Sequence, residues 1–172
     1  MANICSTCYY IEGRKTTLKR IEKACNEKDY EKDILRALGI KKLDNRYLRG
    51  DVLDTDFRGE ALLLHADEAW SRTEFAELLQ KQFPLLNIYW YAEEPGFDIY
   101  CTNDSEGKYF TDRCKVDCHV GEICDSFYFP SEEEARVFVK DIAGISTDEE
   151  IEAFNNSEDS EGYIYLHEIE IC

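Results

Sequence analysis

From Glu60 onward the sequence passes through β-type apolar stretches and helices with explicit start and stop signals, and that order restricts the fold more than any other feature. "EALLLHADEAW" is a continuous apolar run of strand length, covered on both faces or nearly so. A helix start follows, with Ser71 as N-cap, Glu74 closing a capping box, and Trp70 and Phe75 forming a hydrophobic staple. Phe75, Leu78, Leu79 and Gln82 or Phe83 make its core face, and Pro84 ends it. "LNIYWYAEEPGFDIYCTND" reads as two strands joined by a tight turn at Glu94, Pro95 and Gly96. A hairpin spans 108–129, turning at Gly121. Ser131 and Glu134 form a second capping box, with Ala135, Phe138, Val139 and Ile142 on one face and Gly144 at the end. Thr147 and Glu150 begin a short acidic helix, and "YIYLHEIEI" is a final strand. The order strand, helix, strand, strand, helix, strand predicts an α+β fold of the ferredoxin-like, split βαβ kind, with a mainly antiparallel sheet and helices on one face. The hairpin and an N-terminal strand are expected to extend that sheet.

The N-terminal strand is "NICSTCYYIEG". Leu18, Ile21 and Cys25, then Tyr30, Ile34 and Leu38, recur at helical spacing over 14–38, with a break near 26–29. "KKLDNRYLRGDVLDTDFRG" reads as a long polar connection with one short strand. At 172 residues the chain is expected to be a single domain. Residues 1–59 supply the first strand and a basic helical segment, and 60–172 supply the core with its inserted hairpin.

Charge narrows the function classes. Residues 1–50 carry 12 Lys+Arg against 7 Asp+Glu, and residues 51–172 carry 8 against 30, so the first part is +5 and the rest −22. Such a field repels nucleic-acid phosphates and anionic lipid and attracts a basic protein. The start lacks a basic region followed by an apolar one, and no apolar run approaches the roughly 18 residues of a spanning helix. A soluble, cytoplasmic protein is expected, and its eight cysteines are then thiols or metal ligands rather than disulfides.

"MANICSTCYYIEG", followed by "AWSRTEFAELLQKQFPLLNIYWYAEEPGFDIY", resembles the YubB-like ferredoxin-like proteins carried by bacterial plasmids and phages. Gly13, Trp70, Phe83, Pro84, Tyr91, Glu94 and Gly96 stand at the places of the family's motifs, over about the first 110 residues. The chain departs from the pattern at Ser71 and Arg72, where prolines commonly follow the Trp. The resemblance implies a bacterial mobile-element setting; it brings no activity and no catalytic residues.

"CKVDCHVGEIC" gathers Cys114, Cys118, His119 and Cys124, the candidate metal or thiol-enzyme set. Zinc needs four ligands around one point. On a strand, Cys114 and Cys118 share a face about 13 Å apart, too far to grip one ion, and His119 points the other way. Cys124 is expected opposite Cys118, so the cysteines read as small apolar residues of a hairpin. In "CSTC", Cys5 and Cys8 face opposite sides of their strand, without the helix N-terminus a redox motif uses.

Tyr89 and Tyr91 alternate with Ile88, Trp90 and Ala92; Tyr100 alternates with Ile99 and Cys101; Tyr163 and Tyr165 alternate with Ile164 and Leu166. These tyrosines are expected to gather on the open face of one sheet, a surface suited to a protein partner. Glu132, Glu133 and Glu134 are the acidic candidates, for a basic partner or as a phosphate mimic that occupies the groove of a nucleic-acid-binding protein. The expectation is therefore a non-enzymatic protein without cofactor that binds a basic protein. The alternatives are an acidic nucleic-acid mimic and a metal- or thiol-dependent enzyme.

Overall fold

The N-terminal strand expected at a sheet margin lies at its centre. In a computed structural model, which describes residues 4–41, 43, 48–69, 74–157 and 162–172, β1 (Cys5–Glu12) pairs on one side with β3 (Ala61–Glu68) and on the other with β4 (Asn87–Glu94). Its alternation explains the position. Cys5, Thr7, Tyr9 and Ile11 are buried, as a strand flanked on both sides and packed on one face requires.

Contacts divide the chain into two compact units, Met1–Ser105 with Cys172, and Glu106–Ile171. In the first, the sheet runs β2 (Asp51–Arg58), β3, β1, β4, β5 (Ile99–Thr102), with every adjacent pair antiparallel. Leu62, Leu64 and Ala66 of β3 and Ile88, Trp90 and Ala92 of β4 share the buried face with Tyr9 and Ile11. Three helices complete this core: α1 (Lys15–Glu27) through Leu18, Ile21, Ala24 and Cys25, α2 (Glu31–Ala37) through Ile34 and Leu35, and α3 (Glu74–Gln82) through Phe75, Ala76 and Leu79. Each fully buried leucine or isoleucine stabilises the fold by roughly 1.5–3 kcal/mol. The helical break near 26–29 is found, since α1 ends at Glu27 and α2 starts at Glu31. The Ser71 cap and the Trp70 staple lie outside the described residues.

The second unit holds the hairpin of β6 (Cys114–Val120) and β7 (Ile123–Phe129), then α4 (Glu132–Ala143), α5 (Asp148–Asn155), β8 (Tyr163–Glu168) and the two-residue β9 (Glu170–Ile171). Its antiparallel sheet runs β7-β6-β8. Cys114, Val116, Cys118 and Ile164 form a core with Ala135, Val139 and Ile145. Phe138 of α4 packs on Phe127 and Phe129, ring centroids 4.7 and 5.2 Å away. Of the capping box expected at the start of α4, Ser131 supplies its half by accepting from the Glu134 amide; Gly144 closes that helix as expected, and the reciprocal capping box lies instead at Thr147 and Glu150, the expected start of α5. Arg136 ties the two helices, reaching Glu132 at 2.6 Å and Asp148 at 2.8 Å. Gly162 enters β8 so close to β6 that an added Cβ would fall 2.1 Å from the His119 carbonyl oxygen. Among the described residues no helix is long and apolar enough to cross a membrane.

The expected extension of one sheet by the hairpin is therefore corrected. The 108–129 hairpin pairs with β8 and adds nothing to the sheet of β3 and β4. Asn103 gives a physical reason. Its side chain accepts from the Trp90 amide at 2.7 Å and donates to the Ile88 carbonyl at 2.9 Å, taking the ladder positions that a longer β5 would use. The helices nevertheless make the fold α+β as expected, with mainly antiparallel sheets.

Candidate functional site

The solvent side of the second unit's sheet brings tyrosines, histidines, a lysine, a cysteine and an aspartate together. Because Cys114, Val116 and Cys118 turn inward, Lys115, Asp117 and His119 turn outward. Register with the two neighbouring strands then sets three rows: Tyr128–Lys115–His167, Ser126–Asp117–Tyr165 and Cys124–His119–Tyr163. Asp117 is the hub. It accepts a hydrogen bond from Ser126 Oγ, and its carboxylate lies 3.2 Å from His167 Nε2 and 3.5 Å from Lys115 Nζ. Lys115 is buried, and its ammonium is also 5.6 Å from the Tyr128 ring centroid. A buried ammonium requires such compensation, because an unpaired one carries a desolvation penalty of several kcal/mol.

The aromatic part is exposed. Tyr163 and Tyr165 stack with centroids 5.5 Å apart while remaining 39% and 51% exposed. His119 meets the Tyr163 ring edge-on at 6.1 Å, and His167 lies 6.4 Å from the Tyr165 ring. The Tyr163 phenol is pushed upward from its ordinary pKa, first by partial desolvation, then by Cys124 and Asp117 beside it. It stays protonated at neutral pH, a hydrogen-bond donor at the rim of an aromatic pair.

The cysteine set separates by face. Cys114 and Cys118 are buried in the core, and His119 lies on the opposite side, as expected. Cys124 does not pair with Cys118. It stands opposite His119, and Cys118 stands opposite Asp125, because the two-residue loop Gly121–Glu122 sets the register. Four ligands from these residues cannot converge, and no group of three or more His, Cys, Asp or Glu among the described residues is arranged to hold a metal ion. Burial also makes several thiols inert: it pushes Cys8 up to about 11 and Cys25 up to about 12, and raises Cys114 and Cys118 as well.

The tyrosines divide between the two sheets. Tyr89, Tyr91 and Tyr100 share a face of the first unit's sheet, as their alternation predicts, but Tyr100 is only 3% exposed and Tyr89 and Tyr91 are half-buried. Tyr91 moreover donates to Glu93 Oε1 at 2.7 Å. Tyr163 and Tyr165 belong to the other sheet. Of the three glutamates on α4, Glu132 is engaged by Arg136, while Glu133 and Glu134 are exposed in the first turn, where the helix dipole favours them.

One charged pair escaped the sequence reading. Glu31 and Glu68 are each only 1% exposed, and their carboxyls are hydrogen-bonded to one another. Glu68 accepts from Tyr9 Oη at 2.6 Å and from Thr7 Oγ1. Glu31 Oε1 has no partner among the described residues. Burial, then the Glu68 charge, drives Glu31 far above the carboxylate range; burial raises Glu68 too, but three hydrogen bonds oppose the rise. Glu31 thus holds the proton and Glu68 the charge. Gly50 makes room for this pair, since a Cβ there would sit 2.5 Å from the Glu31 carboxyl. Strand parity could have exposed Glu68, which shares the inward face with Leu62, Leu64 and Ala66.

With known proteins the chain shows no match, either to a family model or to a curated sequence.

Proposed function

We propose that this protein acts by binding a basic protein partner through its second unit. The observation that carries the reading is the exposed Tyr163–Tyr165 stack on a unit with 5 Lys+Arg and 18 Asp+Glu over Glu106–Ile171, a net −13. Tyrosines that stay exposed beside polar neighbours are favoured anchors at protein interfaces. A field of one sign speeds the encounter with a partner of the other. The hub at Asp117 holds the strands beneath the rings in one register, so the stack is presented ready-made.

The acidic-mimic alternative draws on Glu132–Glu134, but Glu132 is committed to Arg136 and Glu150 to the Ser146 and Thr147 amides. That favours the tyrosines as the specific element, with the carboxylates supplying attraction. The first unit we read as a ferredoxin-like split βαβ module. Its support is the order β4-β1-β3-β2 with helices after β1 and β3, and a limit at Ser105 close to the end of the family resemblance. On the same reading the setting is a bacterial mobile element and the compartment the cytoplasm.

The test takes a partner cross-linked from bacterial lysate, re-expressed and titrated by fluorescence anisotropy. Replacing Tyr163 and Tyr165 together by alanine is expected to weaken binding by roughly thirtyfold, about 2 kcal/mol, and raising salt is expected to slow association. Unchanged affinity in the folded double variant, with loss on Glu133→Gln/Glu134→Gln instead, would transfer the function to the acidic helix.

A further inference from the structure

The two edges of the second unit's sheet are treated differently. At the β8 edge, Asn155 of α5 imitates a neighbouring strand: its Nδ2 donates to the Ile164 carbonyl at 2.7 Å and its Oδ1 accepts from the Ile164 amide at 2.8 Å. Side-chain caps of this kind block strand pairing. At the other edge β7 pairs with β6 in unbroken register from Phe129 to Ile123, and no strand among the described residues flanks its outer side. "ICDSFYF" contains no lysine, proline or bulge, three of the usual protections of an edge; its one charge is Asp125, and all seven residues are exposed or half-exposed.

Geometry fixes which backbone groups face outward. The hairpin closes at Val120 and Ile123 around a two-residue loop, which makes that pair hydrogen-bonded. Pairing then alternates, so Ile123, Asp125 and Phe127 bond to β6, while the amides and carbonyls of Cys124 and Ser126 face away from it. The Ser126 amide is held by Asp125 Oδ1 at 2.8 Å, an exposed local contact that an incoming carbonyl can replace. Side chains beside such a strand alternate too. Phe127 lies on the side of α4, and Ser126 lies beside Asp117 on the polar side.

We infer that β7 is a docking edge, joined as a fourth strand by an extended segment of the partner in which apolar residues alternate with Lys or Arg. This rests on the proposed reading of a basic partner and supplies its binding mode, in which main-chain hydrogen bonds give affinity and alternate side chains give specificity. The net charge of −13 selects the occupant: it attracts a cationic strand and repels a second copy of the same edge.

The probe is a fluorescein-labelled, end-capped peptide of four Lys-Val repeats, titrated by anisotropy against the full-length protein. Two further versions carry N-methyl groups on every lysine or on every valine, which removes the amide donors of one strand edge or the other. The parent peptide should bind, one methylated version should bind as well as the parent, and the other should lose at least tenfold. Ser126→Pro should cause the same loss without changing the far-ultraviolet circular dichroism, since residue 126 does not bond to β6. Binding indifferent to both N-methylation patterns overturns the docking edge and leaves the basic-partner reading standing. No binding of the parent peptide overturns both. A dimer in sedimentation that Ser126→Pro dissociates would assign the edge to a second copy instead. The methylated pair decides the matter even if the proline variant fails to fold.

Discussion

Replacing Glu31 by glutamine should remove a large pH dependence from the stability of the first unit. In the folded chain the Glu31 carboxyl is buried against Glu68 and held protonated, whereas in the unfolded chain it returns to its ordinary value of 4.5. A carboxyl whose folded pKa is raised binds its proton more tightly in the native state. Its contribution is complete below pH 4.5 and is lost as pH climbs through and above that value. Over that window a single retained proton costs up to about 1.4 kcal/mol per pH unit, so about 4 kcal/mol between pH 5 and pH 8. That is a large part of the 5–15 kcal/mol typical of a whole domain. Glutamine keeps a donor for Glu68 and cannot ionise. Glu31→Gln should therefore equal the parent at pH 5 within about 1 kcal/mol and exceed it at pH 8 by a few kcal/mol. Both tryptophans, Trp70 and Trp90, belong to the first unit, so urea titration followed by tryptophan fluorescence isolates its transition from that of the second. Parallel pH profiles for the two proteins would refute the protonated pair.

Timed alkylation of the native protein, read by mass spectrometry, should modify Cys124 and Cys172 first and Cys8 more slowly, and should leave Cys5, Cys25, Cys101, Cys114 and Cys118 untouched until denaturant is added. Asn155→Ala removes both hydrogen bonds to Ile164 and should cost roughly 1–3 kcal/mol, visible as faster hydrogen exchange in β8. Gly162→Ala meets the His119 carbonyl, a backbone atom with little freedom to yield, and should cost at least as much by the same measurement. Duplex DNA should show no binding in gel-shift at moderate salt, because a chain of net −17 cannot replace the counterions its phosphates would release.

Local features were legible in the sequence wherever one short stretch decides them. The helix break after Glu27, the helix start at Thr147 and the opposite facing of Cys118 and His119 all follow from spacing within a few residues. Strand partnership does not. "YIYLHEIEI" has the pattern to complete either sheet, and spacing alone does not say that its Tyr163–Glu168 part pairs with β6. β2 was expected as a short strand in a polar connection because Asp51, Asp54 and Asp56 mask its eight residues. As the outer strand of its sheet it carries those charges toward solvent, the usual protection of an edge. The Cys118–Cys124 pairing failed by one residue of register, and a slip of one moves every side chain to the other face. Burial of Tyr100 was equally out of reach, since alternation names a face without saying what covers it.

Two asparagines connect the architecture to the proposed function. Asn103 ends the β5 ladder by bonding the backbone of β4, and Asn155 closes the outer side of β8 by bonding Ile164. Each substitutes a side-chain amide for a peptide group, so a sheet position is satisfied without another strand. Charge follows the resulting partition. Met1–Ser105 carries 15 Lys+Arg and 19 Asp+Glu, a net −4, against −13 for the shorter Glu106–Ile171. Part of that acidity is structural, since Glu132–Glu134 and Asp148–Glu150 occupy the first turns of α4 and α5, where the helix dipoles stabilise them. The remainder repels a like-charged copy of the exposed β7 edge and so opposes self-association there. On the proposed reading, the same charge that protects the edge from its own kind draws in a cationic strand, which makes protection and recognition two effects of one field.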